Sequence, residues 1–185
     1  MKISIKNFIL TGILSAFAVV GLISAGVKTS AQADRESANG HGTIVVQDEQ
    51  GKNVKRQFSF NARRAADGTV SGNAVLHNAS FTGANGKKYK ASFDISCLKV
   101  VGNIAVIGGF IKRTNDPSLV DAAFFTVQDN GEPGKNSDRI SGINFFDDNP
   151  STTGSPSLCE QTSPNAFPFM TIDGGNIQVR GSAAQ

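Results

Sequence analysis

Apolar and polar residues alternate along most of this chain with the two-residue period of a β-strand. Val54, Phe58, Phe60 and Ala62 fall on one face, and Lys55, Gln57, Ser59, Asn61 and Arg63 on the other, as in a strand with one side buried. Ala66-Asp67-Gly68 then carries a hairpin signal, and Val70, Gly72, Ala74 and Leu76 continue the inward set beyond it. Upstream, Ile44 and Val46 make a first strand that ends at Asp48-Glu49-Gln50-Gly51. Downstream of the turn at Ala84-Asn85-Gly86, Tyr89, Ala91, Phe93, Ile95 and Cys97 share a face before the apolar phase moves to Leu98 and Val100. That slip predicts a bulge at Cys97-Leu98.

The stretch from Asp94 to Gly109 forms the centre of the pattern, two β-branched runs around Gly102-Asn103, a pair suited to a tight hairpin turn. Ile104 and Val106 lead into Gly108-Gly109, where a missing side chain allows a bulge or a close backbone approach. Ala123, Phe125 and Val127 form a sixth strand, closed by the turn-rich run Asp129 to Gly134. Ile140, Ile143 and Phe145 form a seventh with a phase break at Gly142, and Ile177 and Val179 an eighth. Eight strands at hairpin spacing and no helical period predict an all-β fold, an eight-stranded antiparallel barrel with a two-sheet sandwich as the alternative. Closure would remove the edge strands.

The first thirty-three residues stand outside this pattern. Lys2 and Lys6 precede an apolar run from Phe8 to Ile23, and Ala31-Gln32-Ala33 ends it with small residues, which predicts a signal peptide cleaved between Ala33 and Asp34. A retained anchor is the competing reading, since the uncharged stretch reaches the about 20 residues that span a bilayer. The organisation expected is therefore a leader over 1–33, a polar segment over 34–40, one β-domain over 41–181 and a tail over 182–185. Cleavage implies a secreted or cell-envelope protein that makes no membrane contact afterwards. Charge changes with it: Lys2, Lys6 and Lys28 account for the whole formal excess of +3. The remainder is formally neutral, which argues against a nucleic-acid partner.

Outside the cytoplasm two cysteines pair most simply with each other, so Cys97 is expected to bond Cys159 and tie a Ser/Thr/Pro-rich loop to the core. Closing a loop of that length contributes about 4 kcal/mol in the chain-entropy description.

Several segments in order, Gly40-His41-Gly42, Phe58 to Arg64, Asp67 to Gly72, Cys97-Leu98, Gly102 to Ala105, Asp129-Asn130-Gly131 and Gly175 to Val179, carry a family likeness. Together they resemble a family of short bacterial exported all-β domains without an assigned activity. The resemblance implies export and one β-domain, and no catalytic residue or cofactor comes with it.

Candidate chemistry is sparse. His41 and His77 are the two histidines, and neither stands in a hydrolase or metalloprotease motif. Asp129, Asn130 and Glu132 crowd one turn, and Asp147 and Asp148 another, where oxygen ligands on loops suggest calcium. Asp and Asn also populate turns for local hydrogen-bonding reasons, so no cofactor is the primary expectation. Thirteen phenylalanines against one tyrosine and no tryptophan suggest core packing rather than an aromatic recognition surface. The leading expectation is a non-catalytic module with an extracellular or envelope partner of unknown identity. The alternative is a barrel carrying a small apolar ligand in a cavity lined by Phe58, Phe60, Phe93, Phe110 and Phe125. A hydrolase using the histidines comes third.

Overall fold

The alternating runs form antiparallel strands, and the turn signals form the hairpins between them. The computed structural model of the chain describes residues 36–83, 85–116, 122–145 and 155–181. The strands are β1 (Glu36–Gln47), β2 (Asn53–Arg64), β3 (Val70–Thr82), β4 (Lys88–Val101), β5 (Ile104–Thr114) and β6 (Ala122–Gln128), then β7 (Arg139–Ser141), β8 (Asn144–Phe145), β9 (Phe169–Thr171) and β10 (Gly174–Arg180). They make one sheet in the order β10-β1-β2-β3-β4-β5-β6-β7-β9, with β8 also on β6.

The all-β expectation holds, but the sheet curls into a half-barrel whose two ends, β9 and β10, are not laddered to each other. Carboxylates bridge the seam instead. The Ile177 N–H donates to Asp138 Oδ2 at 2.8 Å and the Val179 N–H to Asp129 Oδ2 at 3.0 Å, so the outer edge of β10 finds acceptors on the segment after β6. Unpaired buried backbone donors are costly, and these two side chains stand where a neighbouring strand would otherwise be.

Inward residues stack in rows across β1 to β4. One row is Ile44, Arg56, Asn78 and Tyr89, the next Gly42, Phe58, Leu76 and Ala91, and the third Gly40, Phe60, Ala74 and Phe93. Large rings lean over glycines. A Cβ on Gly40 would lie 2.8 Å from the Phe60 ring and 3.0 Å from Ile177 Cγ1. The central hairpin pairs Val101 with Ile104 around Gly102, which takes a φ of 60°, a left-handed value that suits glycine.

The chain departs from its sequence pattern at several places. Glu36 to Gly40, expected as a polar leader, is the first half of β1 and pairs with both β10 and β2, and Ala38 is fully buried. Small polar residues fit there because both neighbouring strands supply the hydrogen bonds that propensity does not. The β4 bulge falls at Ser96, between the pairs Ile95 with Gly109 and Cys97 with Gly108. Cys97 therefore lies beneath the outer face, with Val106, Ala122, Phe124 and Cys159, while Leu98 joins the inner core. The expected seventh strand is two pieces, β7 and β8, both along β6. β9 is an additional strand, too short at three residues for its alternation to show.

Cys97 and Cys159 form the expected disulfide, with a Cα–Cα distance of 6.1 Å. Cys159 sits in a short 3-10 turn, Pro156–Glu160, laid over β4 and β5. Gly108 permits that close approach, because a Cβ there would come within 2.8 Å of the Pro156 carbonyl. Arg64 clamps the same segment by donating to Glu36 Oε2 at 2.9 Å, to Glu160 Oε1 at 2.6 Å and to the Leu98 carbonyl. Burial opposes its charge, but the hydrogen bonds and charges of Glu160 and Glu36 outweigh this and hold its pKa above the ordinary value.

Candidate ligand cavity

The inward rows do not fill the space between β2–β4 and the opposite wall of β6–β8. A cavity of about 440 Å³ remains, lined by Phe58, Phe60, Phe93 and Phe125, with Ile44, Leu76, Tyr89, Ile140 and Ile143 around them. That is within the about 300–1,000 Å³ of small-molecule sites. Two residues keep the space open: Ala74 stands between the large rings of its row, and Gly142 interrupts the β7–β8 wall without a side chain. Phe60 meets Phe125 edge-on with ring centroids 5.5 Å apart and lies 6.2 Å from Phe58, so the floor is a fixed aromatic cluster.

Four of the five phenylalanines expected to line a cavity do so. Phe110 does not; it is 42 % exposed on the outer face. Strand β5 is apolar on both faces because the disulfide segment covers part of its outer side, so alternation alone misassigns its phase. Ala105, Ile107 and Ile111 point inward, and Val106 and Phe110 fall on the opposite face.

One end of the cavity is polar. Arg56, on the same inward phase as Phe58, lines it together with Asn78. The sequence reading did not place Arg56 on the inner face, although its parity between Val54 and Phe58 is visible there. Position Arg56 is set by a local event in β3. Asn78 Oδ1 accepts from the Ser80 N–H at 3.0 Å and the Ser80 hydroxyl at 2.7 Å, a short-range turn of the kind that competes with ladder pairing. The register jumps from Asn78 to Thr82, and the displaced residues deliver Ser80 to Arg56 and Phe81 to the Tyr89 ring, 5.7 Å away and edge-on. Arg56 donates Nε and Nη2 to the Ser80 hydroxyl oxygen at 3.0 and 2.8 Å. Burial pushes the Arg56 pKa down, and no carboxylate among the described residues forms an ion pair with it.

Tyr89 forms the wall beside this end and is 2 % exposed. Burial pushes its pKa up. The Thr114 hydroxyl acts against the shift and the Asp116 charge adds to it, yet the phenol makes no well-formed hydrogen bond among the described residues.

The other candidate residues are dispersed. His41 and His77 are exposed on the outer face, in register with Ser59 and with Gln57 and Lys90 respectively, and share a shallow depression there. Among the described residues neither imidazole hydrogen-bonds a hydroxyl or a carboxylate, so no nucleophile and base are brought together. Asp129 accepts from the Gly131 and Val179 N–H groups, Asn130 Nδ2 donates to the Ser137 carbonyl at 2.7 Å, and Glu132 accepts from Asn176 Nδ2 at 2.6 Å. These side chains hold turns and the seam. Asp147, Asp148, Ala33 and Asp34 lie outside the described residues. Among the described residues, the one cluster of metal-ligating types is Cys97, Cys159 and Glu160, whose thiols are consumed by the disulfide. No protein-family model matches the chain, and no curated protein or solved structure shows a match to it.

Proposed function

We propose that this protein is a non-catalytic, extracytoplasmic binder of a small apolar molecule. The observation that carries the reading is the 440 Å³ cavity walled by Phe58, Phe60, Phe93 and Phe125. A folded protein interior is normally packed to the density of an organic crystal, so an aromatic-lined space of this size in a short chain is a feature to be explained. Among the described residues neither histidine is hydrogen-bonded to a hydroxyl or a carboxylate, which favours binding over catalysis. The Cys97–Cys159 bond is compatible with an oxidising compartment, and the amino-terminal pattern of Lys2, the apolar run and Ala31-Gln32-Ala33 supports export of a bacterial type.

Binding is tested by titrating the oxidised, exported protein with the neutral dye N-phenylnaphthylamine. The native protein is expected to enhance its emission saturably, and Ala74→Leu, which fills the centre of the cavity, is expected to abolish the enhancement while keeping the β-type circular dichroism. No saturable enhancement by the native protein refutes the binder and returns the outer-surface interaction module to first place. Intact mass of the exported protein tests the location: a chain beginning at Asp34 and two hydrogens light supports it, and an uncleaved chain refutes processing.

A further inference from the structure

Resting on that binding reading, we infer that the ligand is an amphipathic carboxylate, its apolar body on the phenylalanine floor and its head on Arg56 and Asn78. Donors outnumber acceptors at the polar end of the cavity among the described residues. Arg56 offers five N–H groups. The Ser80 hydroxyl takes the N–H of Nε and one of the two on Nη2, and the other three donate to nothing among the described residues. Asn78 is similarly half used. Its oxygen is committed to Ser80, which orients the amide, and its Nδ2 has no acceptor among the described residues. Arg56 and Asn78 are cross-strand partners on β2 and β3, and both line the cavity.

Two neighbouring donors, one of them cationic and partly desolvated, thus face a mainly apolar space. A partly buried cation without a counter-ion is unfavourable, and no carboxylate among the described residues forms an ion pair with this one. Arg64 is the contrast within the same chain, bonded to both Glu36 and Glu160. An incoming anion would complete the pair in a low-dielectric setting, where an arginine–carboxylate hydrogen bond is strong and directional. One cation matches one negative charge, so a monoanion fits better than a dianionic head. The Arg56–Ser80–Asn78 chain holds the guanidinium in place beforehand, which reduces the ordering needed on binding.

The probes are dodecanoate, dodecanol and dodecyl phosphate, each competed against N-phenylnaphthylamine on the oxidised, exported protein near neutral pH. Dodecanoate is expected to displace the dye at about tenfold to hundredfold lower concentration than dodecanol, the span of one charged hydrogen-bonded contact. The preference is expected to disappear in wild type as the ligand's carboxylate is protonated at acid pH, so this arm needs no variant. Arg56→Met is expected to equalise acid and alcohol, read as the ratio of the concentrations at which each displaces the dye. Asn78→Asp, which keeps the acceptor for Ser80 but supplies an internal carboxylate beside Arg56, is expected to do the same. Dye binding with equal affinity for acid and alcohol overturns the carboxylate assignment and leaves the cavity reading intact. Tighter binding of dodecyl phosphate than of dodecanoate also overturns it, in favour of a phosphate head. Absence of binding by the dye and by all three dodecyl compounds removes the binder reading itself.

Discussion

Replacing Asp138 by alanine tests whether carboxylates hold the seam of the half-barrel. The side chain is fully buried, its Oδ1 accepting from the Asn130 N–H and its Oδ2 from the Ile177 N–H, both at 2.8 Å. Alanine leaves both donors without an acceptor. An unsatisfied buried donor costs about 1–3 kcal/mol, with Ile177 towards the upper end because its bond is buried and Asn130 towards the lower because its bond is only part-buried. Relief from burying a charge acts in the opposite direction, so the net loss expected is about 2–4 kcal/mol. Asparagine retains one acceptor and turns an NH₂ group towards the other donor, and is expected to lose about half as much. Urea unfolding followed by circular dichroism gives the free energies, and amide hydrogen exchange locates them. The Ile177 amide should be protected in wild type and exchange at least tenfold faster in Asp138→Ala. A variant within about 0.5 kcal/mol of wild type with an unchanged urea slope, or an Ile177 amide that exchanges as before, would refute the carboxylate seam.

Three further outcomes follow from the packing. Gly40→Ala pushes a methyl group against the Phe60 ring at 2.8 Å and is expected to lower stability by about 1–3 kcal/mol, with partial recovery in the double variant with Phe60→Leu, both read by thermal melting. Tyr89 is the single tyrosine in a chain without tryptophan, so phenolate absorbance on alkaline titration reports it alone. Its raised folded-state pKa means that its contribution to stability is fully present below the ordinary tyrosine value and is lost as pH rises through the folded one; Tyr89→Phe should remove that alkaline loss, and a phenol titrating at or below the ordinary value would contradict its burial. Replacing Cys97 and Cys159 together by alanine opens a loop of 62 residues and should cost about 4 kcal/mol in the chain-entropy description, measured as a lowered urea midpoint, with a change under about 1 kcal/mol counting against a tether to the core.

Strand identity was legible in the chain wherever one face is wet. β2, β3 and the first half of β4 meet solvent on one side, so their alternation is clean and the inward places of Phe58, Phe60, Ala74 and Phe93 follow from it. The turns at Asp67-Gly68 and Gly102-Asn103 and the pairing of the two cysteines were also readable, because turn chemistry is local and two thiols have one intramolecular choice. Legibility ended where both faces are covered or where neighbours supply the hydrogen bonds. β5 is covered on part of its outer face by the disulfide segment, which is why its apolar pattern puts Phe110 inside although it lies outside. Glu36 to Gly40 has no strand propensity to show, and becomes a strand because β2 and β10 flank it. The candidate site was half visible. Its aromatic floor follows from period two, but the pairing of Arg56 with Ser80 depends on a bulge after Asn78, and the unfilled volume depends on how far β7 and β8 stand from β2. The sequence by itself determined an all-β fold, its main hairpins and its disulfide, since period, turn residues and cysteine count are local properties of the chain. Half-barrel curvature, the carboxylate seam and the seating of the Arg56 guanidinium on Ser80 beside an aromatic cavity were decided by tertiary structure, because each depends on the distance between segments far apart in sequence.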